Sequence, residues 1–236
     1  MKIEVYIMAR NEERIIPYLM RHYGRFAKVI FLESNSTDKT VSLARSLGGE
    51  VWKYNISDEV DDRNFLRVKE SCWQGSKADW AIVVDADEFV YHPDIVGELK
   101  KSKATIIHPK FYNMFSEIYP TTEGQIYDEV KLGTDGDFWL SKMNIFRPSD
   151  IKRMNWIPGC HGANPEGNVI IDADSEIKTL HMRFLSREFL IHRYEKEVLR
   201  LSQHNLDNGF GIQFHWTAQQ INDYFDKMKP NLKQIV

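Results

Sequence analysis

The alternation of predicted strands and helices in the first half of this sequence constrains the fold more than any other feature. Helical spacing of apolar residues predicts helices at 12–23, 36–49 and 93–102, with Pro17 in a first turn and Gly48 and Gly49 as a stop. Apolar, β-branched stretches predict strands at 3–9, 28–33, 50–55, 79–86 and 104–109. This spacing indicates βαβ crossovers, and hence an α/β fold with a mostly parallel, Rossmann-like sheet that is covered by helices on both faces.

The second half of the chain has a different pattern. Residues 120–138 are rich in glycine, threonine and acids without periodicity, which predicts a long loop of the kind that often serves as a lid or a binding loop. Strands are predicted at 141–148, 169–173 and 176–184, and two C-terminal helices at 186–205 and 217–229. Because no repeat or linker is visible, we expect a single domain over 1–236.

Composition and charge exclude several classes of function. The net charge of −3 comes from 31 basic and 34 acidic residues that are scattered without blocks, so the basic patch of a nucleic-acid binder is missing. Cys72 and Cys160 offer neither a disulfide framework nor a zinc spacing, which fits a reducing compartment. The first residues lack the apolar core of a signal peptide, and no apolar run approaches the ~18 residues of a membrane span. We therefore expect a cytoplasmic protein without a transmembrane segment or a nucleic-acid partner.

Three acids follow the fourth predicted strand, in the stretch DWAIVVDADEF (79–89). In an extended strand Asp85 and Asp87 project to the same side, at the carboxyl edge of the sheet where ligands of α/β proteins collect. Two carboxylates without a nearby cysteine favour a divalent cation, Mn²⁺ or Mg²⁺, completed by water and a diphosphate. The alternative is a helix N-cap or a surface turn. Glu88 points to the other side, which predicts a structural role.

The segments ARNEE (9–13), ESNSTDKT (33–40) and ADWAIVVDADEF (78–89) together resemble the family 2 glycosyltransferases of the GT-A fold, in the branch whose metal motif reads D-x-D-E-F. The later segments SKMNIFRP, GCHGANPEG and LHMRFLSREFLIHRY extend the resemblance. It implies a metal-dependent enzyme that transfers a sugar from a nucleotide-sugar, with a UDP-sugar as the expected donor, to the hydroxyl of a glycan or other acceptor, inverting the anomeric centre. Residues 1–110 would bind donor and metal, and 111–236 would form the acceptor side.

The resemblance assigns the nucleoside to residues that follow the first two strands. Glu33 takes the place of the acid that contacts the base, although the family pattern D-D-x-S-x-D-x-T has aspartates where Glu33 and Ser34 stand here. Asp38 is the later acid of that pattern. Its alternative role is to stabilise the following helix by placing a negative charge at the positive N-terminal end. Ala9 would offer backbone groups, and Asn11 would either fix the loop or cap a helix.

The resemblance also assigns residues to the diphosphate and the metal. Arg63, or alternatively Arg67, would grip phosphate, unless this charged stretch is a solvated helix face. His181 would complete the metal site and favour Mn²⁺ over Mg²⁺; the alternative is a core histidine whose hydrogen bonds are satisfied. His161 would contact the acceptor or the diphosphate, or else order its glycine-rich loop.

The general base has no clear counterpart in the family pattern. Asp137, beside Phe138 and Trp139, is our candidate, and a solvated loop acid is the alternative. Two other functions stay open. A sugar-1-phosphate nucleotidyltransferase would be expected to show a glycine-rich phosphate loop, which ARNEERIIPY (9–18) lacks. A non-catalytic nucleotide-sugar-binding module is disfavoured by the retention of Asp85 and Asp87.

Overall fold

The structure is a computed structural model that describes residues 1–54, 58–136 and 142–236. The α-helices are α1 (Ile16–Tyr23), α2 (Thr40–Ser46), α3 (Asp62–Ser71), α4 (Ile95–Lys101), α5 (Ile126–Glu129), α6 (Arg187–Glu197), α7 (Gln203–Asp207) and α8 (Ala218–Met228). The strands are β1 (Ile3–Ala9), β2 (Lys28–Glu33), β3 (Glu50–Lys53), β4 (Trp80–Asp85), β5 (Glu88–Tyr91), β6 (Ile106–Ile107), β7 (Lys110–Ser116), β8 (Leu132–Asp135), β9 (Ile145–Phe146), β10 (Ile151–Arg153), β11 (Glu166–Gly167), β12 (Ile171–Asp172), β13 (Lys178–Leu185) and β14 (Lys233–Gln234).

A mixed sheet at the centre of the molecule has the order β12-β6-β9-β4-β1-β2-β3. Its pairs are parallel except where β9 meets β4 and β6. The register sets Ala9 beside Glu33 and Met8 beside Asp85, so the carboxyl ends of β1, β2 and β4 meet at one edge. The predicted α/β class with a mostly parallel sheet is therefore confirmed.

Alternate residues of the central strands pack against helices on opposite faces of this sheet. Val5 and Ile7 of β1 share a buried cluster with Leu19 of α1. Tyr6, which lies between them, belongs to another buried cluster that contains Val68 of α3. This alternation is the reason why the strand sequences are almost continuously apolar, and it confirms the prediction of helices on both faces.

A second sheet, with the order β14-β8-β7-β13-β5, was not predicted. It is mostly antiparallel, because among its described neighbouring strands only the pair β7 and β13 is parallel. The chain enters it directly from β4, since only Ala86 and Asp87 separate β4 from β5. The stretch 120–138 was predicted as a loop, but its described part contains α5 and β8. Both elements are only four residues long, too short for a periodic signal.

The helix predicted at 186–205 is interrupted. Helix α6 ends at Glu197, and α7 begins only at Gln203. Between them, the backbone N–H of Val60 donates to the carbonyl of Arg200 (2.7 Å), and the N–H of Ser202 donates to the carbonyl of Val60 (3.0 Å). This pairing with a distant segment breaks a helix that local periodicity favours. In the ranges that the structure describes, no helix has the length and apolarity to span a membrane.

A buried histidine makes the stability of this fold sensitive to pH. His22 of α1 is only 2% exposed, and its ring nitrogens contact the carbonyl of Val90 (2.9 Å) and the hydroxyl of Tyr127 (3.3 Å). Burial lowers the pKa of His22 to about 3, so the folded protein holds it neutral, whereas the unfolded chain protonates near the ordinary pKa of about 6.5. The stability that His22 contributes is therefore present above about pH 6.5 and is lost as the pH falls toward the folded value.

We predict that a His22→Gln variant will show a weaker loss of stability on acidification than the wild type. Other groups titrate in both proteins, so the difference between their free energies of unfolding isolates His22. That difference should change by about 2 kcal/mol between pH 7 and pH 5, in favour of the variant at the lower pH. Urea unfolding at several pH values measures it, and parallel curves for the two proteins would contradict the prediction.

Candidate functional site

A cavity of about 680 Å³ lies at the carboxyl ends of the parallel strands β1 and β4. Ala9 and Asp85, the last residues of these strands, line one wall together with Ser34, which follows β2. The facing wall comes from the second half of the chain, from β7, β13, α6 and the segment 209–216. The cavity therefore occupies the edge of the sheet at which a ligand was predicted to bind.

Asp87 and His181 meet in the wall of this cavity. Oδ2 of Asp87 lies 3.5 Å from Nε2 of His181, and the two side chains are 7% and 14% exposed. Burial alone would raise the pKa of Asp87, but the nearby charges of His181, Arg193 and Arg183 outweigh it and hold this pKa well below its ordinary value. An ionised carboxylate thus stands beside an imidazole, and the role of these two residues as metal ligands stays a prediction.

The other ring nitrogen of His181 is held by an amide. Nδ1 lies 3.0 Å from Oδ1 of Asn113, an oxygen that accepts a hydrogen bond from Nδ1–H, and this contact leaves Nε2 as the ring nitrogen that faces Asp87. A carboxylate oxygen and an imidazole nitrogen fit Mn²⁺, and the carboxylate also fits Mg²⁺. Among the described residues, no three His, Cys, Asp or Glu side chains surround one metal position, so a cation here would take further ligands from water and substrate.

Asp85 has different partners from Asp87, and here the structure corrects the sequence-based geometry. The chain turns at Ala86 and Asp87 and does not stay extended. The carboxylate of Asp85 contacts Nζ of Lys69 (2.6 Å) and Nζ of Lys142 (2.7 Å). Burial would raise the pKa of Asp85, but Lys142 and Lys69 together lower it below its ordinary value. Two ammonium groups thus neutralise Asp85 in this structure, and its role as a metal ligand stays a prediction.

Glu88 completes this buried ionic cluster. Its side chain is 1% exposed, and Oε1 lies 2.7 Å from Nζ of Lys142. Oε2 accepts a hydrogen bond from the backbone N–H of Asp85 (3.1 Å). The side chains of Lys69 and Lys142 are only 7% and 6% exposed. Glu88 therefore fixes the end of β4, which agrees with the structural role predicted for it, whereas neither lysine was singled out from the sequence.

An ion pair joins the two walls of the cavity. Oε1 of Glu12, in the loop after β1, accepts a hydrogen bond from Nη2 of Arg193 in α6 (2.9 Å). Burial raises the pKa of Glu12 to about 7, although Arg193 opposes this shift. The pair links residues that are 181 positions apart, and it holds α6 against the end of the sheet.

Asn11, Glu33 and Asp38 lie beside the cavity but do not line it. Glu33 is buried, and its carboxylate accepts a hydrogen bond from the N–H of Ser36. Oδ1 of Asn11 accepts from the N–H of Thr37 (2.8 Å), and α1 begins only at Ile16, so Asn11 orders the loop and does not cap the helix. The carboxylate of Asp38 accepts from the N–H groups of Thr40 (2.9 Å) and Glu13 (3.1 Å). The three residues tie the loops after β1 and β2 together, and their nucleoside contacts stay predictions.

Arg63 lies on an exposed helix face in this structure. Its guanidinium pairs with Asp61, the N-cap of its own helix, and its side chain is 64% exposed. Neither Arg63 nor the alternative, Arg67, lines the cavity; Arg67 contacts Asn64 at its own helix (3.4 Å). This is the solvated helix face that the sequence left open. Four other arginines line the cavity instead: Arg10, Arg183, Arg193 and Arg200.

Of the remaining predicted residues, two line the cavity and one lies outside the described residues. Ala9 and His161 both line the cavity, and His161 follows the short 3₁₀ turn Pro158–Cys160. Asp137, the candidate base, lies outside the described residues, so its role stays a prediction.

A glycosyltransferase of known sequence resembles part of this chain. No protein-family model matches it. Over 91 residues it is 30% identical to the 4,4'-diaponeurosporenoate glycosyltransferase of Staphylococcus haemolyticus (strain JCSC1435), a match that covers 36% of this chain and 24% of that protein. The chain therefore has a glycosyltransferase among its sequence relatives, and it spans less than two thirds of that relative's length.

Two solved structures illustrate the likeness in shape. Glucosyl-3-phosphoglycerate synthase from Mycobacterium tuberculosis, in complex with Mn²⁺, UDP and glucosyl-3-phosphoglycerate, is 20% identical with a TM-score of 0.36, over 47% of this chain and 44% of that chain. TarS 1–349 of S. aureus is 13% identical with a TM-score of 0.47, over 86% of this chain and 66% of that chain. At these identities and TM-scores the likeness carries no argument about function.

Proposed function

We propose that this protein is a metal-dependent glycosyltransferase that moves a sugar from a nucleotide-sugar to the hydroxyl of an acceptor. The observation that carries the proposal is the pairing of Asp87 with His181 (3.5 Å) in a cavity at the carboxyl edge of the parallel strands. An ionised carboxylate beside an imidazole nitrogen suits a cation that also binds a diphosphate. The partial match to a glycosyltransferase and the resemblance of three motifs support the same reading.

The donor would lie along the edge formed by β1, β2 and β4. Ala9, Ser34 and Asp85 line this part of the cavity, together with the half-buried Tyr54. The carboxylate of Asp85 is ionised, 37% exposed and fixed from behind by two lysines, so it can accept hydrogen bonds from hydroxyl groups of a nucleoside. We propose uridine as the base because the motif at 33–40 resembles that of the family.

Asp87 and His181 would hold the divalent cation on the donor diphosphate, which neutralises the charge of the leaving group when bound. His181 stays oriented for this role through Asn113, and the charges of Arg193 and Arg183 favour the ionised form of Asp87 when His181 is bound to the cation. Inversion of the sugar needs one base to take the proton of the acceptor hydroxyl. Asp137 remains our proposal for this base, and His161 is proposed to contact acceptor or diphosphate from the cavity wall.

Thermal unfolding with a panel of nucleotides tests this function. We predict that UDP together with Mn²⁺ will raise the unfolding midpoint, because a ligand at a hundred times its Kd stabilises the folded state by about 2.7 kcal/mol. UDP with a chelator should give a much smaller shift, and GDP, CDP and ADP serve as matched nucleotides. The proposal fails if none of the nucleotides shifts the midpoint, or if the shift with UDP is the same without metal.

A further inference from the structure

The four arginines that line the cavity differ in their partners. Arg193 is paired with Glu12 (2.9 Å), and Arg200 with Glu197 (2.8 Å). The guanidinium of Arg10 contacts the backbone carbonyl (2.9 Å) and the carboxylate (3.5 Å) of Asp58. Arg183 of β13 is different, because it forms no ion pair with any carboxylate in the described ranges 1–54, 58–136 and 142–236.

The guanidinium of Arg183 is nevertheless held in a fixed place. Nε donates a hydrogen bond to the hydroxyl of Tyr194 (2.9 Å). The carbon at its centre lies 5.3 Å from the ring centroid of Tyr194 and 5.7 Å from that of Phe214, within the range of cation–π contacts. The two rings themselves meet edge to face at 5.4 Å. A planar cation is thus oriented by two aromatic residues of the cavity wall.

One terminal nitrogen of Arg183 lacks an acceptor. Nη2 is enclosed, and no hydrogen-bond partner for it exists among the residues that the structure describes. An enclosed charged donor without a partner is costly, and such a group is expected to have an acceptor in the working state of the protein. Nε of Arg183 already donates to Tyr194, so the terminal nitrogens of the guanidinium remain to donate to the oxygens of a phosphate or carboxylate.

The position of Arg183 indicates which substrate brings this anion. The nucleoside side of the cavity is built from residues 9, 34, 54 and 85, whereas Arg183 lies among aromatic side chains of the second half, where Phe184, Tyr194, Phe214, Trp216 and Tyr224 all line the cavity. Such rings pack against sugar rings and apolar groups. His181 is two residues away on the same strand, so a molecule at this wall is within reach of the proposed metal position.

We propose that Arg183 binds an oxyanion group, a phosphate or a carboxylate, on the acceptor, and that the enzyme therefore selects anionic acceptors. This inference rests on the proposed function, because it takes the donor diphosphate to be held at Asp87 and His181. Arg183 then acts as a specificity-determining residue, with the aromatic wall in contact with the body of the acceptor.

Inorganic phosphate serves as the probe, measured on the full chain saturated with UDP and Mg²⁺. We expect phosphate to raise the unfolding midpoint of this complex beyond the effect of sodium chloride at equal ionic strength. Arg183→Met should weaken phosphate binding roughly tenfold or more and leave the Kd of UDP unchanged. Arg183→Lys keeps the charge without the fork, so an intermediate loss is expected, and it guards against a methionine variant that does not fold. Arg200→Met is the matched control, because Arg200 lines the same cavity but is already paired; it should leave phosphate binding unchanged.

Three results would overturn the inference. Phosphate that binds only in the absence of UDP, or an Arg183→Met variant that loses UDP and phosphate together, would place Arg183 on the donor diphosphate. Equal phosphate binding by the wild type and Arg183→Met would exclude an anion site at this residue. If UDP does not bind to the protein at all, the proposed function fails. In that case, phosphate binding that is lost in Arg183→Met would still support an anion site at Arg183.

Discussion

Replacing Asp87 with alanine is expected to abolish the metal-dependent stabilisation by UDP and to lower the rate of sugar transfer by roughly 10²- to 10⁴-fold. A cation that neutralises a leaving diphosphate contributes several kcal/mol, and each 1.36 kcal/mol is about tenfold in rate. Asp87 provides the carboxylate oxygen of the proposed site, 3.5 Å from Nε2 of His181, and it is ionised at neutral pH. The measurements are the unfolding midpoint with UDP and Mn²⁺, and the turnover of a UDP-sugar.

Two companion variants make this experiment decisive. Asp87→Asn keeps the shape of the side chain and removes its charge, so a loss in this variant cannot be attributed to a cavity. Asp223→Asn removes an exposed carboxylate on α8 whose contact is with Gln219, and it should bind UDP and Mn²⁺ like the wild type. Wild-type binding and turnover by Asp87→Ala would disprove the metal role of Asp87 and, with it, the proposed function.

The first half of the fold could be predicted because its signals are local. The observed bounds of β1 and β2 coincide with the apolar runs at 3–9 and 28–33, since strands buried on both faces carry apolar residues at nearly every position. Parallel pairing then brings the strand ends together, which put the cavity at Ala9 and Asp85 as expected. These steps need only the sequence pattern and the geometry of βαβ units.

The details of the site could not be predicted because they depend on distant partners. Lys142 is 57 positions from Asp85, and Arg193 is 181 positions from Glu12. The turn at Ala86 and Asp87 follows an apolar strand and precedes another, so the sequence reads as one extended run. Which basic residue lines the cavity is also a matter of packing, and for this reason the sequence could not show that Arg63 lies outside the cavity wall. Only one weak indication in the sequence pointed to Arg183 as part of the site, namely its position two residues after His181.

Replacing Lys142 with methionine is expected to lower the free energy of unfolding by about 3–5 kcal/mol, the cost of breaking a buried ion pair by removing one partner. Lys142 contacts both Asp85 and Glu88 at 2.7 Å, and the side chain of Glu88 is only 1% exposed. Within the described residues Glu88 forms no other ion pair, so the variant leaves a buried carboxylate without a counter-ion. Urea unfolding at pH 7 measures the loss.

Lys69→Met provides the matched comparison for this effect, because it removes an equally buried ammonium group from the same cluster. In this variant Asp85 would keep Lys142 as a partner. The lost ion pair between Lys69 and Asp85 is partly screened by water, because Asp85 is 37% exposed, so a smaller destabilisation is expected. A Glu88→Gln substitution in the Lys142→Met background should restore part of the stability, since it removes the stranded charge. Equal losses in the two lysine variants, or no recovery in the double variant, would contradict this account.

The pH dependence gives an independent check on the same cluster. Burial opposes ionisation of Asp85, but Lys142 and Lys69 lower its pKa in the folded protein below the unfolded value. The stability that this pairing contributes is therefore present above the unfolded pKa of about 4 and is lost as the pH falls through the folded value. The gap in unfolding free energy between wild type and Lys142→Met should be widest at neutral pH and narrow below about pH 4. A gap that stays constant into acid would mean that Lys142 stabilises the fold through packing of its aliphatic chain and not through the charges of Asp85 and Glu88.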